Sequence, residues 1–244
     1  MNDNNLTQVW VYLSASPLFG LSMTLIAYGL AQRLYVYAKG NPLLNPVVTA
    51  VALLIALLLA TGMPYKNYFD GAQFVHFLLG PATVALAIPL YRQFGKLKQL
   101  WLPVLVALLA GVTIGGVSAV GIAWLLGADT QTLLSLAPKS VTAPVAMGIA
   151  ERIGGIPSLT AVLVVTTGII GAVLGTRVFD LLGIRDDSVR GIAMGVAAHG
   201  IGTARAFQVS AEMGAFAGLA MALSAFTASL ILPWLVDLLL QHAA

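Results

Sequence analysis

The chain has 244 residues, of which 59% are hydrophobic and only 9% are charged, and its formal net charge is +3. An ordinary soluble domain carries about 25% charged residues, so these few charges cannot cover a water-soluble globule of this size. The composition excludes a soluble enzyme, a nucleic-acid-binding protein and a disordered chain. The sequence contains no cysteine, which excludes a disulfide framework and a cysteine-ligated metal.

Long charge-free stretches predict membrane-spanning helices, because about 20 apolar residues cross the hydrocarbon of a bilayer. Stretches of this length are 4–32, 40–65, 71–91, 99–128, 153–176 and 213–236. Two further stretches, 130–150 and 191–211, are each interrupted by one cation, Lys139 and Arg205. We therefore predict an all-α polytopic integral membrane protein with about six full transmembrane helices and two interrupted helices, either discontinuous or re-entrant.

Short loops predict that residues 1–244 form a single transmembrane domain. Its parts are an N-terminal tail at 1–8, N-terminal helices at 9–127, a core with both interrupted helices at 130–211, and a last helix at 213–242. No basic residue precedes the first apolar run, so we expect no cleavable signal peptide.

Lysine and arginine predict the orientation, since cytoplasmic loops carry an excess of them. If all eight stretches cross, one side holds Arg33, Lys39, Arg92, Lys96, Lys98 and Arg152. The other side holds Lys66, Arg185 and Arg190, with Arg177 near a helix end. We expect the first set in the cytoplasm and both termini outside; a re-entrant stretch would change the assignment downstream of it.

Proline marks a non-helical segment before the second predicted span. The segment 41–46 reads Asn-Pro-Leu-Leu-Asn-Pro, and the residue before a proline favours extended backbone. The segment is either an extended entry into the span, with Asn45 near the site, or a plain interfacial loop.

The first interrupted stretch predicts a broken helix. Pro138 and Pro144 lie six residues apart, and each proline removes a backbone donor and clashes with the preceding turn. We expect a break near 138–142 and a new helix from about residue 143, with Thr142 as its N-cap. The free N–H groups of that helix would face the break.

The second interrupted stretch predicts a break near two glycines, Gly200 and Gly202. Thr203 could cap a restarted helix there. His199 and Arg205 would then lie at membrane depth, where a charged side chain costs roughly 2.5–3.5 kcal/mol.

Together the two breaks offer cations, an imidazole and hydroxyls but almost no acidic side chain, which favours a small anionic ligand. Discontinuous helices that meet near the midplane are the usual construction of secondary-transporter sites. The alternative is that Lys139 and Arg205 extend to the interface or pair with Glu151 and Glu212.

A weak internal repeat has an offset of 57 residues, matching Leu102 and Gly111 with Leu159 and Gly168, for example. Each unit would be a proline-broken helix followed by a long span, with Pro81 and Pro89 as the partner of the 138–144 break. Apolar sequence also gives such matches by chance. Glycine pairs with GxxxG spacing favour packing inside the chain over a dimer face.

The sequence lacks HExxH, GxSxG and P-loop motifs, so we expect no enzyme activity, no cofactor and no metal site.

Four strings carry a family resemblance: 41–46 (NPLLNP), 137–147 (APKSVTAPVAM), 153–157 (IGGIP) and 191–205 (GIAMGVAAHGIGTAR). They resemble the LrgB/CidB family, which includes YohK-type bacterial inner-membrane proteins, over nearly the whole chain. The chain is also similar to the C-terminal half of the plastidal glycolate/glycerate translocator. Ala143, Ala198 and Gly200 depart from the family pattern, which bears on substrate selectivity more than on fold.

The resemblance implies two functions. One is a secondary transporter that carries small monocarboxylates, such as glycolate, glycerate or pyruvate, across the bacterial inner membrane by alternating access. The other is an antiholin-like regulator of murein hydrolase export and autolysis, with a small holin-like partner of the LrgA/CidA type. A third class, an anion channel or holin-type pore, shares the composition, and a homodimer is expected.

The transporter interpretation assigns the site residues. Lys139 and Arg205 would hold the carboxylate, because arginine can bind it through two parallel hydrogen bonds. His199 would contact the substrate and carry a coupling proton, since its pKa lies near neutrality. The substrate hydroxyl would be recognised by Ser140, Thr142, Thr203 and Asn45.

Overall fold

The computed structural model describes residues 17–41, 44–78, 81, 84–85 and 87–243. Every regular element in these ranges is helical, as predicted. The helices are α1 (Pro17–Tyr37), α2 (Pro46–Thr61), α3 (Tyr65–Phe77), α4 (Ala87–Arg92), α5 (Phe94–Leu125), α6 (Thr130–Leu136), α7 (Ala143–Ile153), α8 (Pro157–Leu181), α9 (Asp187–Val209) and α10 (Ala211–Ala243).

Among the described residues, three helices are long and apolar enough to cross a membrane: α5, α8 and the Ala211–Val236 part of α10. They coincide with the predicted stretches 99–128, 153–176 and 213–236. Large apolar side chains on their surfaces are exposed, as lipid contact requires; Val162 on α8 is 60% exposed. The protein is therefore an all-helical membrane protein.

The other predicted spans lie only partly within the described residues or are shorter than a full span. The stretch 4–32 begins outside the described residues, and 71–91 is divided between α3 and α4 with residues 79–80, 82–83 and 86 outside them. Helix α2 is apolar but has only 16 residues. The count of six full spans stays a prediction.

The chain divides into two compact units, Met1–Ala85 and Leu86–Ala244. In the first unit, α1 packs on α2 and α3. The Thr24 hydroxyl lies 2.8 Å from the Tyr68 hydroxyl, between the first and third helices. Asn45 is buried and caps α2, accepting a hydrogen bond from the Val47 N–H at 2.9 Å. The segment before α2 is non-helical at Asn41 and Asn45, as expected; residues 42–43 lie outside the described part.

The second unit, called the core unit below, contains the first predicted break. Helix α6 ends at Leu136 and α7 begins at Ala143, with Thr142 at the N-cap position in extended backbone. The predicted break and restart are confirmed. The Thr142 side chain makes no capping hydrogen bond, so the proline in the first turn and the extended backbone define this helix start.

Residues 130–153, the first hairpin, leave one end of the bundle and return to it. The Ile156 N–H donates to the Ser135 hydroxyl at 2.7 Å, and the Thr160 hydroxyl donates to the Ser135 carbonyl at 2.9 Å. A Cβ at Gly155 would lie 2.9 Å from the Ser135 nitrogen, so only glycine fits this close approach. Over the first interrupted stretch, the chain therefore returns to the end of the bundle at which it started.

Residues 187–209, the second hairpin, also fold back. A straight helix would separate Asp187 and Ser210 by about 34 Å, but the Ser210 hydroxyl donates to the Asp187 carboxylate at 2.6 Å. The backbone reverses at His199, whose φ of 40° and ψ of −133° are non-helical. The hairpin consists of two antiparallel arms, 187–198 and 200–209.

The contacts of the second hairpin with α10 show that its two arms run in opposite directions. Gly191 packs against Met213 and Gly195 against Ala217, so the first arm runs parallel to α10. In the second arm, the Thr203 hydroxyl lies 3.8 Å from the Met221 sulfur and Phe207 packs against Gly214, so this arm runs antiparallel. These contacts confirm internal packing for the Gly191/Gly195 pair.

The second break was predicted in the right stretch but not at the right residue. It lies at His199, and Thr203 lies inside the second arm, where its hydroxyl donates to the His199 carbonyl at 2.8 Å. The expectation that Thr203 caps a restarted helix is wrong, because the reversal takes a single residue and the second arm is already helical at Thr203.

The two hairpins belong to an internal repeat. Helices α5 and α8 end in the same turn, followed by left-handed Gly127 and Gly183. Asp129 then caps α6 and Asp186 caps α9, at the offset of 57 residues noted in the sequence. In this repeat the break at 137–142 corresponds to His199, and each unit is a long helix followed by a hairpin, whereas the sequence suggested a broken helix followed by a long span. The partner break expected at Pro81 and Pro89 falls in a segment of which residues 79–80, 82–83 and 86 lie outside the described part.

The repeat is inverted, because the first hairpin returns to the Leu125 end of α5 and α8 then runs back to the Lys96 end. The second hairpin enters from that Lys96 end. The assignment of the basic residues to two sides assumed that all eight stretches cross. Because both hairpins return to the end at which they start, the basic residues of the core unit divide differently. In the core unit, Arg152 lies at the Leu125 end, while the Lys96 end holds Arg92, Lys96, Lys98, Arg177, Arg185 and Arg190.

Candidate functional site

The tips of the two hairpins meet beside the middle of α8. Val141 of the first break packs in one apolar cluster with Val164 of α8. The His199 Nε2 lies 2.9 Å from the Val164 carbonyl oxygen. A Cβ at Gly168 would lie 2.6 Å from the His199 ring, so this glycine makes the space that the ring occupies.

Helix α5 contacts the same two tips. A Cβ at Gly111 would lie 2.6 Å from the Val196 side chain, and one at Gly115 would lie 3.8 Å from the Ser140 hydroxyl. Small residues on α5 and α8 therefore let both breaks approach each other in the interior of the core unit, which is the meeting point that the sequence predicts.

Lys139 is the cation at this meeting point. It is half-buried, and its Nζ donates to the Ser140 hydroxyl at 3.2 Å. Among the described side chains, the ion pairs are Lys96–Asp186, Lys96–Glu212 and Arg190–Asp180. Lys139 thus has no carboxylate partner there, and the alternative that it pairs with Glu151 is not observed.

A groove of about 590 Å³ begins at Lys139 and Ser140 and runs between α5 and the first arm of the second hairpin. Its remaining polar group is Ser188, whose hydroxyl hydrogen-bonds to the Asp186 carboxylate. The apolar lining residues are Leu100, Pro103, Val104, Ala107, Gly111, Ile114, Gly115, Val189, Ile192, Ala193, Val196 and Ala197.

His199 and Thr203 form a second, buried group, each 4% exposed. Because a carbonyl oxygen only accepts, the His199 Nε2 must carry a proton when it bonds to Val164. Positive φ is uncommon for a residue with a Cβ and costs about 1–3 kcal/mol. The Thr203 hydroxyl bond to the His199 carbonyl stabilises this strained residue at the tip.

Arg205 lies apart from Lys139 and Ser140. It is 8% exposed, and its Nη1 donates to the Gln208 side chain at 3.1 Å. Arg205 is on the second arm, on the return path to the Lys96 end, and does not line the groove. Glu212, the partner considered for Arg205 in the alternative interpretation, accepts a hydrogen bond from Lys96 at 2.7 Å.

The predicted site residues therefore fall into separate places. Lys139 and Ser140 lie together at the groove, and His199 and Thr203 lie together at the neighbouring tip. Thr142 occupies the N-cap position of α7, and Asn45 caps α2 in the other unit. Their role in binding a substrate stays a prediction.

A polar cluster at the Lys96 end was not predicted. Lys96 lies 3.2 Å from the Asp186 carboxylate and 2.7 Å from that of Glu212, and thus joins the start of α5 to both ends of the second hairpin. Hydrogen bonds from Ser188, then the Val189 N–H and Lys96, lower the pKa of Asp186 to about 2. The sequence signal that could have revealed this capping position is the offset of 57 residues between Asp129 and Asp186.

The comparisons with known proteins agree with the resemblance in the sequence. Residues 24–238 match the LrgB-like family. The chain is 32% identical to "Holin-like protein CidB" of Staphylococcus epidermidis, over 88% of this chain and 93% of that protein. It is 32% identical to "Antiholin-like protein LrgB" of Bacillus mycoides, over 89% and 95%. It is 38% identical to "Uncharacterized protein YxaC" of Bacillus subtilis, over 88% and 93%. No solved structure matches the chain significantly.

Proposed function

The chain belongs to the LrgB-like family, and we propose that it has the holin-like or antiholin-like role named in its relatives. It would regulate murein hydrolase export and autolysis together with a small holin-like membrane partner of the LrgA/CidA type. The observation that carries this proposal is the similarity to CidB and LrgB proteins along 93% and 95% of their lengths.

Deletion of the encoding sequence from its host tests this role. We expect a change in the rate of detergent-induced autolysis, restored by the full chain, and recovery of a small holin-like membrane protein after cross-linking in intact cells. An unchanged lysis rate together with no cross-linked partner would contradict the proposal.

A second candidate is a carrier of small monocarboxylates such as glycolate, glycerate or pyruvate. The observation that favours it is the meeting of two re-entrant hairpins from opposite ends beside Lys139, which has no carboxylate partner among the described side chains. Interrupted helices that meet near the midplane are typical of secondary transporters working by alternating access. A monocarboxylate would supply the negative charge at this point.

In this carrier, Lys139 and Ser140 would bind the carboxylate, because hydrogen bonds between charged groups are the stronger ones. His199 would contact the substrate from the second tip and carry a coupling proton. Thr203 would hold the tip, and Arg205 would attract the anion from the Lys96 end. Thr142 and Asn45 complete the proposed set.

Counterflow in proteoliposomes separates the two candidates. Unlabelled glycolate inside the vesicles should accelerate entry of labelled glycolate through a carrier but not through a pore or a lysis regulator. Lys139→Gln should reduce this exchange at least tenfold, while the matched variant of an exposed lysine, Lys98→Gln, should leave it within twofold. Equal exchange by both variants would remove Lys139 from the mechanism.

We further propose that the protein is a multi-pass protein of the inner membrane with about six full spans in a single transmembrane domain, that it is a homodimer, and that it is not an enzyme. The Lys96 end of the core unit, with its excess of basic residues, would face the cytoplasm. The C-terminus would then lie outside, because Leu232 of α10 packs against Gly116 in the half of α5 towards its Leu125 end. The N-terminus is also proposed to lie outside.

A further inference from the structure

The groove has its polar and apolar parts at different depths. It extends along α5 from Leu100 to Gly115, about 22 Å at 1.5 Å per residue. Its deep end, at the hairpin tips, carries Lys139 and Ser140. Its outer end lies towards the Lys96 end, where the Ser188 hydroxyl is already hydrogen-bonded to Asp186. A ligand therefore finds its polar partners at the deep end and apolar walls elsewhere.

We propose that this groove binds monocarboxylates that carry an apolar tail. The carboxylate lies at the Lys139 ammonium and the Ser140 hydroxyl, and the tail lies between α5 and the first arm of the second hairpin, pointing towards Ser188. The inference deepens the carrier proposal and rests on it for the Lys139–Ser140 anchor.

The volume of the groove supports a ligand larger than a two- or three-carbon acid. A volume of about 590 Å³ lies within the range of about 300–1,000 Å³ of ordinary ligand pockets. A three-carbon acid would leave most of the apolar wall in contact with water, whereas a tail of several methylenes would cover it.

The lining also selects the charge and polarity of the ligand. Among the described residues that line the groove, Lys139 is the ionisable one, so it balances one carboxylate. A second carboxylate, or a row of hydroxyls along the tail, would face apolar side chains without hydrogen-bond partners, which is costly in a desolvated site.

The depth of the cation separates a free acid from a membrane lipid. Lipid headgroups lie at the two faces of a bilayer whose hydrocarbon is about 30 Å thick, with the acyl tails directed inwards. The groove has the opposite polarity, with its charge deep and its apolar walls outside. A free monocarboxylate that enters with its carboxylate first fits this arrangement.

Equilibrium binding to the full chain tests the inference, with the protein in nanodiscs of zwitterionic lipid and acetate, butanoate and hexanoate as probes. Each methylene buried should tighten binding by up to about fourfold. Lys139→Gln should weaken hexanoate binding at least tenfold. Equal affinities for acetate and hexanoate, or a chain-length effect that persists in Lys139→Gln, would overturn the inference.

A pair of alanines on α5 provides a matched control. Ala107 lines the groove and Ala110 does not, and both are exposed, so each should accept a larger side chain without unfolding. Ala107→Phe should weaken hexanoate binding at least fivefold and leave acetate within twofold, while Ala110→Phe should change neither. Loss of hexanoate binding in Ala110→Phe, or none in Ala107→Phe, would contradict the proposed position of the tail.

Three further outcomes separate this inference from its alternatives. Displacement of hexanoate by anionic phosphatidylglycerol nanodiscs, lost in Lys139→Gln, would assign the groove to a lipid and overturn the proposal. Glycolate counterflow without chain-length selectivity would keep the carrier and reject the apolar-tail site. Chain-length-dependent binding without counterflow would keep the site and reject the carrier.

Discussion

The two hairpins reach the same depth by different local chemistry. The first opens over residues 137–142, between two prolines, and presents Lys139 to the groove. The second reverses at the single residue His199 and contains no proline; its arms are held by glycines against α10. The first break is therefore encoded in its own sequence, whereas the second depends on close packing by its neighbours.

The largest expected effect comes from adding one methyl group to each hairpin, which compares how closely the two hairpins are packed. A Cβ at Gly195 would lie 2.2 Å from the Ala217 carbonyl oxygen, whereas nothing lies within 4 Å of a Cβ at Gly148. Gly195→Ala should cost about 3 kcal/mol of unfolding free energy, because backbone would have to move. Gly148→Ala should stabilise by up to about 1 kcal/mol, through helix propensity. Thermal and denaturant unfolding in detergent measure both; equal effects would reject the contrast.

Removal of a serine at the base of each hairpin should have a smaller effect. Ser135 is fully buried and accepts the Ile156 N–H, so Ser135→Ala should cost about 2 kcal/mol by leaving a buried donor unsatisfied. The Ser210 hydroxyl is only half-buried; it donates to Asp187 and accepts the Met213 N–H at 3.0 Å. Because water can replace both bonds there, Ser210→Ala should cost about 1 kcal/mol. A larger loss for Ser210→Ala, measured in the same unfolding assay, would show that solvent does not replace its bond.

Acid should loosen the second hairpin by a still smaller amount. The pKa of Asp186 is lowered from 3.8 to about 2, chiefly by the Ser188 hydroxyl. A depressed carboxyl pKa gives stability that is present above the unfolded value and is lost as the pH falls through the folded one. Between pH 4 and pH 2, wild type should therefore lose this contribution, and Asp186→Asn should not. Parallel acid-unfolding curves for the two proteins would contradict this assignment.

The difference between the hairpins explains what could be predicted from the sequence. Pro138 and Pro144 have a direct local effect on the backbone, so the break and the helix start at Ala143 were predicted correctly. Positive φ at His199 has no local signature, and the prediction moved to the neighbouring glycines and to Thr203. The ring position depends on Gly168, which is distant in the sequence.

Re-entry could not be decided from hydropathy, since a crossing helix and a hairpin of similar length have the same composition. It depends on contacts between distant residues, such as Ser135 with Ile156 and Asp187 with Ser210. The offset of 57 residues contained part of this information, because it also pairs Asp129 with Asp186. From the sequence, Lys96 was predicted only to be a basic residue on the cytoplasmic side. Its contacts with Asp186 and Glu212 form only when the second hairpin is folded.

The two hairpins enter the core unit from opposite ends, and labelling from each side of a sealed membrane can test this directly. The chain has no native cysteine, so single cysteines can be labelled with a membrane-impermeant maleimide in sealed vesicles. The account predicts that Arg185→Cys and Gln208→Cys are labelled from one side, and Ala128→Cys and Arg152→Cys from the other. Labelling of positions 185 and 208 from opposite sides would mean that the second stretch crosses the membrane, and would contradict the account.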